Sequence, residues 1–156
     1  MVSVVAVKAP PPYRIRLAED ADVAPWRAYL QGTMEDNGRD GAYFAPFARE
    51  DHASRFTPQK LAETRDALAR PLTEPGWRRG FLVLDAAEAI VGSADLNGGS
   101  LRSDLHRCSL GIGLSRPHQG KGLGEALLRA TIDWAKGAGL RYMDLGVFAG
   151  NTRAEA

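Results

Sequence analysis

The chain has 156 residues, about one domain's length, and its 44% hydrophobic and 25% charged content is that of an ordinary globular protein. Twenty basic residues against nineteen acidic ones leave a formal net charge of +1, which lacks the clustered basic excess needed for non-specific nucleic-acid binding. A single cysteine, Cys108, excludes an internal disulfide and points to a cytoplasmic chain, and no apolar run reaches the ~18 residues of a membrane span.

Residues 1–12 read as a loosely held arm: a short apolar stretch without a basic n-region, closed by three prolines at 10–12. Polar and apolar residues alternate over 13–17, which predicts a first strand. Asp20 or Asp22 caps a helix through Pro25, Trp26, Ala28 and Leu30 that stops near Gly32. Residues 32–47 have a loop composition, with Gly32, Gly38, Gly41 and Pro46 among acids and aromatics. Thr57 followed by Pro58 is an N-cap with a first-turn proline and predicts a helix to Ala69, ended by Pro71, Pro75 and Gly76.

Residues 81–85 and 90–96 form a hairpin around a turn at Ala86–Ala89, and Gly98 and Gly99 make the next break. The fourth strand, 108–114, alternates Cys108, Leu110, Ile112 and Leu114 with Ser109, Gly111 and Gly113. Its second face is nearly bare, a feature that marks close approach of another backbone or a ligand. Next comes a glycine-rich loop and a helix over 122–136 with the apolar stripe Leu123, Leu127, Ala130 and Trp134, stopped by Gly137 and Gly139. A fifth strand is expected over 142–148. Trp26, Trp77 and Trp134 read as packing residues, and the alternation makes Cys108 a core thiol rather than a nucleophile.

The loop from Arg116 to Gly124 carries the chemistry. A glycine-rich turn feeding a helix start presents free backbone N–H groups and the positive end of the helix dipole, and Arg116, His118 and Lys121 add charge. A pyrophosphate is the natural guest. It is not a Walker A loop, because Lys121 is followed by Gly122 rather than by Ser or Thr. The dinucleotide pattern G-x-G-x-x-G also fails, meeting Arg116 when started at Gly111 and Glu125 when started at Gly120. No histidine and cysteine pair has metal-site spacing.

The loop does match Q/R-x-x-G-x-G/A at Gln119, Gly122 and Gly124, and Asn151, Arg153 and Ala154 match an N-x-x-A element after the fifth strand. In these motifs, and in its order of elements over 13–156, the chain resembles the GNAT acetyltransferases. The resemblance implies an α/β (α+β) fold: a mixed, mostly antiparallel sheet with splayed fourth and fifth strands, flanked by helices. It implies acetyl-CoA as cosubstrate and an amine acceptor, while the charge balance and the apolar runs point to no nucleic acid and no membrane partner. The pantetheine arm would lie against Ile112, Gly113 and Leu114. The loop residues Gln119, Gly120, Lys121, Gly122, Leu123, Gly124 and Glu125 would cradle the pyrophosphate, and Asn151 would contact the arm.

The implied reaction is direct attack by a primary amine of a small molecule, peptide or protein, without a covalent enzyme intermediate or a metal. A proton acceptor is then required. Relatives carry an acid near Ser109 or at the position of Gly146, and this chain has neither. Glu35, Asp36, Asp95, Asp104, His106 and Asp144 are the candidates. The loop between the first two helices, with Asp40, Tyr43, Phe44 and Phe47, is a candidate acceptor surface, whereas His52 reads as a surface residue. The resemblance also implies a tyrosine, a helix and closing strands beyond Ala156. Without them a C-terminally incomplete domain would expose an edge that a homodimer could cover. A non-catalytic acyl-CoA sensor is the alternative to an enzyme.

Overall fold

The computed structural model describes residues 8–39, 56–149 and 151–155. The candidate loop residues Asp40, Tyr43, Phe44 and Phe47, and His52, lie outside them. The described elements are β1 (Arg14–Leu17), α1 (Val23–Met34), α2 (Pro58–Ala69), β2 (Arg78–Leu84), β3 (Ile90–Gly98), β4 (Arg107–Leu114), α3 (Leu123–Gly137), β5 (Tyr142–Asp144) and the short α4 (Thr152–Glu155). They build a five-stranded sheet in the order β1-β2-β3-β4-β5. Neighbours are antiparallel from β1 to β4, and β5 joins β4 in parallel. This is the mixed, mostly antiparallel sheet that the resemblance implies.

Local chemistry explains the element boundaries. The Thr57 side chain accepts the Lys60 N–H at 3.3 Å and Pro58 occupies the first turn of α2, as the sequence predicts. In the β2–β3 turn, Asp85 Oδ1 accepts the N–H groups of Ala87 and Ala89, each at 2.9 Å. Helix α1 continues past Gly32 to Met34, because one glycine in a helix carries only a modest penalty.

The two faces of the sheet differ. On one, α3 lays Leu123, Leu127, Ala130 and Trp134 against Phe81, Val83, Ala94, Leu96, Cys108 and Leu110, and Trp77 tilts against Trp134 with ring centroids 6.0 Å apart. On the other, Trp26 of α1 packs with Leu82 and Leu84. All three tryptophans are core, as expected, and Cys108 is buried. Burial pushes the Cys108 thiol up to about 11, with Asp144 adding to the effect, so it is no thiolate at neutral pH.

One expectation needs correcting, and the exposure of one strand residue adds to it. The fifth strand pairs only over Tyr142–Asp144 rather than to 148, and Leu145, Val147 and Phe148 beyond it are exposed. Ile112 does not share the burial of Cys108 and Leu110; it is 38% exposed. β4 and β5 pair only over Arg107–Ser109, the first three of the eight residues of β4, and part company beyond. Among the described residues no helix is long and apolar enough to cross a membrane.

Candidate active site

Pairing between β4 and β5 ends at Ser109 opposite Asp144. On its other edge β4 stays paired with β3 as far as Leu114. From Leu110 onward, β4 therefore has no strand partner on its β5 side among the described residues. Backbone N–H and C=O groups on such an edge need partners, and an extended ligand carrying amides can supply them as an added strand does. A Cβ at Gly113 would meet nothing within 4 Å, so the face of β4 beside this edge is open there. Ile112 on β4 and Val147 and Phe148 beyond β5 are exposed apolar residues.

β4 leads directly into the loop. The Ser115 N–H and hydroxyl both donate to the Val91 carbonyl, at 2.9 and 3.0 Å, tying the loop entrance to β3. One turn of 3-10 helix, Arg116–His118, follows, with the Ser115 hydroxyl 2.9 Å from His118 Nδ1. The Gln119 side chain turns back and donates to the Leu114 carbonyl at 3.1 Å, so it braces the loop against the end of β4.

Gly120 and Gly122 both have positive φ, +74° and +77°, in the left-handed region where a Cβ is strained. Gly122 is the N-cap of α3, and no side chain caps the helix. Its first N–H groups are thus left for a ligand. Lys121 reaches back to the Tyr13 hydroxyl at 3.4 Å, and the Tyr13 ring meets His118 edge-on at 5.8 Å. Tyr13 is a site neighbour that the sequence reading missed. Only its place just before β1 hints at it.

The six candidate proton acceptors lie in distinct settings. Asp36 sits beyond α1 and holds Arg39 at 3.0 Å and Arg116 at 3.7 Å, so it braces the loop. Glu35 is the C-cap of α1. Asp104 lies in the turn before β4, its N–H bonded to the Leu101 carbonyl at 3.0 Å. The His106 ring meets Tyr142 at 5.7 Å at the start of β4, the end away from the loop. Asp144 is the last paired residue of β5, but Arg107 grips both of its oxygens, at 2.9 and 2.9 Å, and its side chain is 57% exposed.

Asp95 is different. It lies on β3 opposite Gly111, on the bare face of β4. Its Oδ2 receives Arg78 Nε at 3.1 Å, Arg78 Nη2 at 2.7 Å and Asn97 Nδ2 at 2.7 Å. Arg78 in turn lies over the Trp26 ring, 5.1 Å from its centroid. The sequence reading did not foresee Arg78 as a partner, although the strand register pairs it with Asn97, two residues from Asp95.

Asn151 stands at the start of α4, its N–H bonded to the Phe148 carbonyl at 3.0 Å and its carbonyl accepting from Ala154 at 2.9 Å. A separate recess of about 300 Å³ is lined by Arg16, Asp22, Pro25, Tyr29, Leu84 and Ile90 and has no part in the fork. No group of three or more His, Cys, Asp or Glu among the described residues is arranged to hold a metal.

Residues 45–156 match the model of the acetyltransferase (GNAT) family. No curated protein matches the chain in sequence. Among solved structures it resembles an acetyltransferase of the GNAT family from Streptococcus pneumoniae, with 21% identity and a TM-score of 0.73, over 92% of this chain and 79% of the other. A GCN5-related N-acetyltransferase from Kribbella flavida aligns with 25% identity and a TM-score of 0.57, over 86% and 71% of the two chains. YncA from Salmonella typhimurium, solved with its cofactor acetyl-CoA, aligns with 22% identity and a TM-score of 0.65, over 92% and 74%.

Proposed function

The chain belongs to the acetyltransferase (GNAT) family, and from that premise we propose that it transfers an acetyl group from acetyl-CoA to a primary amine of a small molecule, peptide or protein by direct attack. The observation that supports this most is the fork itself: a free β4 edge that runs straight into an uncapped, glycine-rich helix start. Acetyl-CoA has matching parts in the same order, with amides along its pantetheine arm and a pyrophosphate at the arm's end. The backbone groups of Ile112 and Leu114, which point away from β3, would pair with the arm, and the bare Gly113 between them would leave room beside it. The N–H groups from Gly120 to Glu125 would face the pyrophosphate, with Lys121 as a nearby cation. Asn151 would bond to the arm from the other side of the fork.

In this reading β4 also does chemistry. A backbone N–H near Ile112 would donate to the thioester carbonyl, supporting the negative charge that grows there as the amine attacks. The open face at Gly113 is where the amine would enter. The single cysteine suits a reducing compartment, and the cytoplasm is the location we assign.

The test is incubation with labelled acetyl-CoA and a panel of amines: an α-amino acid, a polyamine, an aminoglycoside and a peptide with a free N-terminus. Transfer of label to an amine with release of CoA is the expected result. Tight acetyl-CoA binding with no transfer to any amine would point instead to a non-catalytic sensor.

A further inference from the structure

We propose that Asp95 is the proton acceptor of the transfer reaction, reaching across from β3 to occupy the place left by the missing side chain of Gly111. The inference rests on the acetyl-transfer reading above and adds the residue that reading leaves unnamed. On the face of β4 away from α3, Ser93 stands opposite Gly113, Asp95 opposite Gly111 and Asn97 opposite Ser109. A Cβ built on Gly111 would lie 2.6 Å from Asp95 Oδ1. The carboxylate therefore lies over the strand whose far edge is the open one, one residue from Ile112.

The two carboxylate oxygens have separate tasks. Oδ2 takes all three hydrogen bonds, from Arg78 and Asn97, while Oδ1 takes none among the described residues. The arginine thus fixes the carboxylate's direction and leaves one oxygen with free lone pairs aimed at β4. Asp144 offers no such oxygen, since Arg107 holds both, and it is far more exposed than Asp95, 57% against 21%.

The balance of the step is simple. The amine nitrogen's lone pair forms the N–C bond to the thioester carbonyl carbon, and the C–S bond breaks with its electron pair leaving on the CoA thiolate. The proton shed by nitrogen goes to Asp95 Oδ1, directly or through one water, and from there to solvent. A carboxylate is a weak base toward a free ammonium, but nitrogen becomes strongly acidic once the N–C bond forms, so proton transfer at that point is downhill.

The experiment compares Asp95→Asn, Gly111→Ala and Asp144→Asn with the wild type, using the panel amine that the wild type acetylates fastest. Acetyl-CoA affinity is measured in parallel by calorimetry. Asp95→Asn is expected to lower kcat by about 10²–10⁴-fold with acetyl-CoA affinity unchanged. Gly111→Ala, which pushes Oδ1 aside while keeping the carboxylate, is expected to lower kcat by a smaller factor, and Asp144→Asn to leave it near the wild-type value. If Asp95→Asn does not fold, Gly111→Ala decides. Wild-type kcat in Asp95→Asn or Gly111→Ala overturns the assignment of Asp95 alone. A wild type that neither binds acetyl-CoA nor acetylates any amine overturns the acetyl-transfer reading, and this inference with it.

Discussion

Gly122 separates what the loop does for the fold from what it does for a ligand. Its φ of +77° lies where an L-residue is strained, yet a Cβ there would find only Pro10 Cγ, at 3.9 Å. Steric clash is therefore absent, and the penalty of Gly122→Ala is backbone strain of about 1–2 kcal/mol. For a domain of this size that lowers Tm by about 2–8 °C. Relaxing the strain would rotate the peptide at the start of α3 and misdirect an N–H. Losing one hydrogen bond to a charged group is worth about 1.5–3 kcal/mol, which at about 1.4 kcal/mol per tenfold is about 10–150-fold in affinity. Gly124→Ala is the internal control. Its Cβ would sit 3.7 Å from Leu114 Cδ1, an ordinary contact, and α3 would gain about 0.5–1 kcal/mol from the better helix former. Thermal melts and acetyl-CoA titrations of both variants provide the assay. Gly124→Ala should melt higher and bind as the wild type does, while Gly122→Ala should melt lower and bind weakly. An unchanged dissociation constant in folded Gly122→Ala would refute the phosphate-cradle reasoning.

Two further outcomes follow from the charge and burial of single groups. Cys108, buried with its thiol pushed up to about 11, should resist iodoacetamide at pH 8 in the folded protein, and Cys108→Ala should retain acetyl transfer; rapid native alkylation or lost transfer in a folded variant would contradict the core assignment. Hydrogen bonds from Arg16, at 2.6 and 2.8 Å, hold the Asp22 carboxyl below its ordinary value, so its contribution is present above about pH 3.9 and fades as pH falls through the depressed value. Asp22→Asn should therefore lower stability by about 1 kcal/mol at pH 7, allowing for partial exposure, with the gap to wild type closing in acid; a gap that persists at pH 2 would contradict this.

Much of the architecture was legible in the sequence because it depends on short-range signals. Thr57-Pro58 announced the start of α2, and the stripe Leu123, Leu127, Ala130 and Trp134 announced a helix lying on a sheet. The loop was legible for the same reason, since Gly120 and Gly122 stand where only glycine is unstrained. What escaped was set by contacts between distant segments. Periodicity predicted a strand to residue 148 and put Ile112 on one face with the buried Cys108 and Leu110, because alternation records which residues share a face, not where a neighbouring strand departs. The settings of the candidate acids were likewise invisible. Asp95 and Asp144 look alike in a sequence, and only the strand register gives one a free oxygen over Gly111 and closes the other beneath Arg107. Tyr13 meets Lys121 through a contact spanning 108 residues, which no local pattern records.

The central claim is that acetyl-CoA occupies the fork between β4 and β5 and the start of α3. Backbone amide hydrogen exchange, followed residue by residue with and without acetyl-CoA, tests it most directly. The account predicts protection confined to Ile112–Leu114, Gly120–Glu125 and the neighbourhood of Asn151. Failure to bind, or protection centred on the recess of about 300 Å³ lined by Arg16, Asp22 and Tyr29, would contradict it.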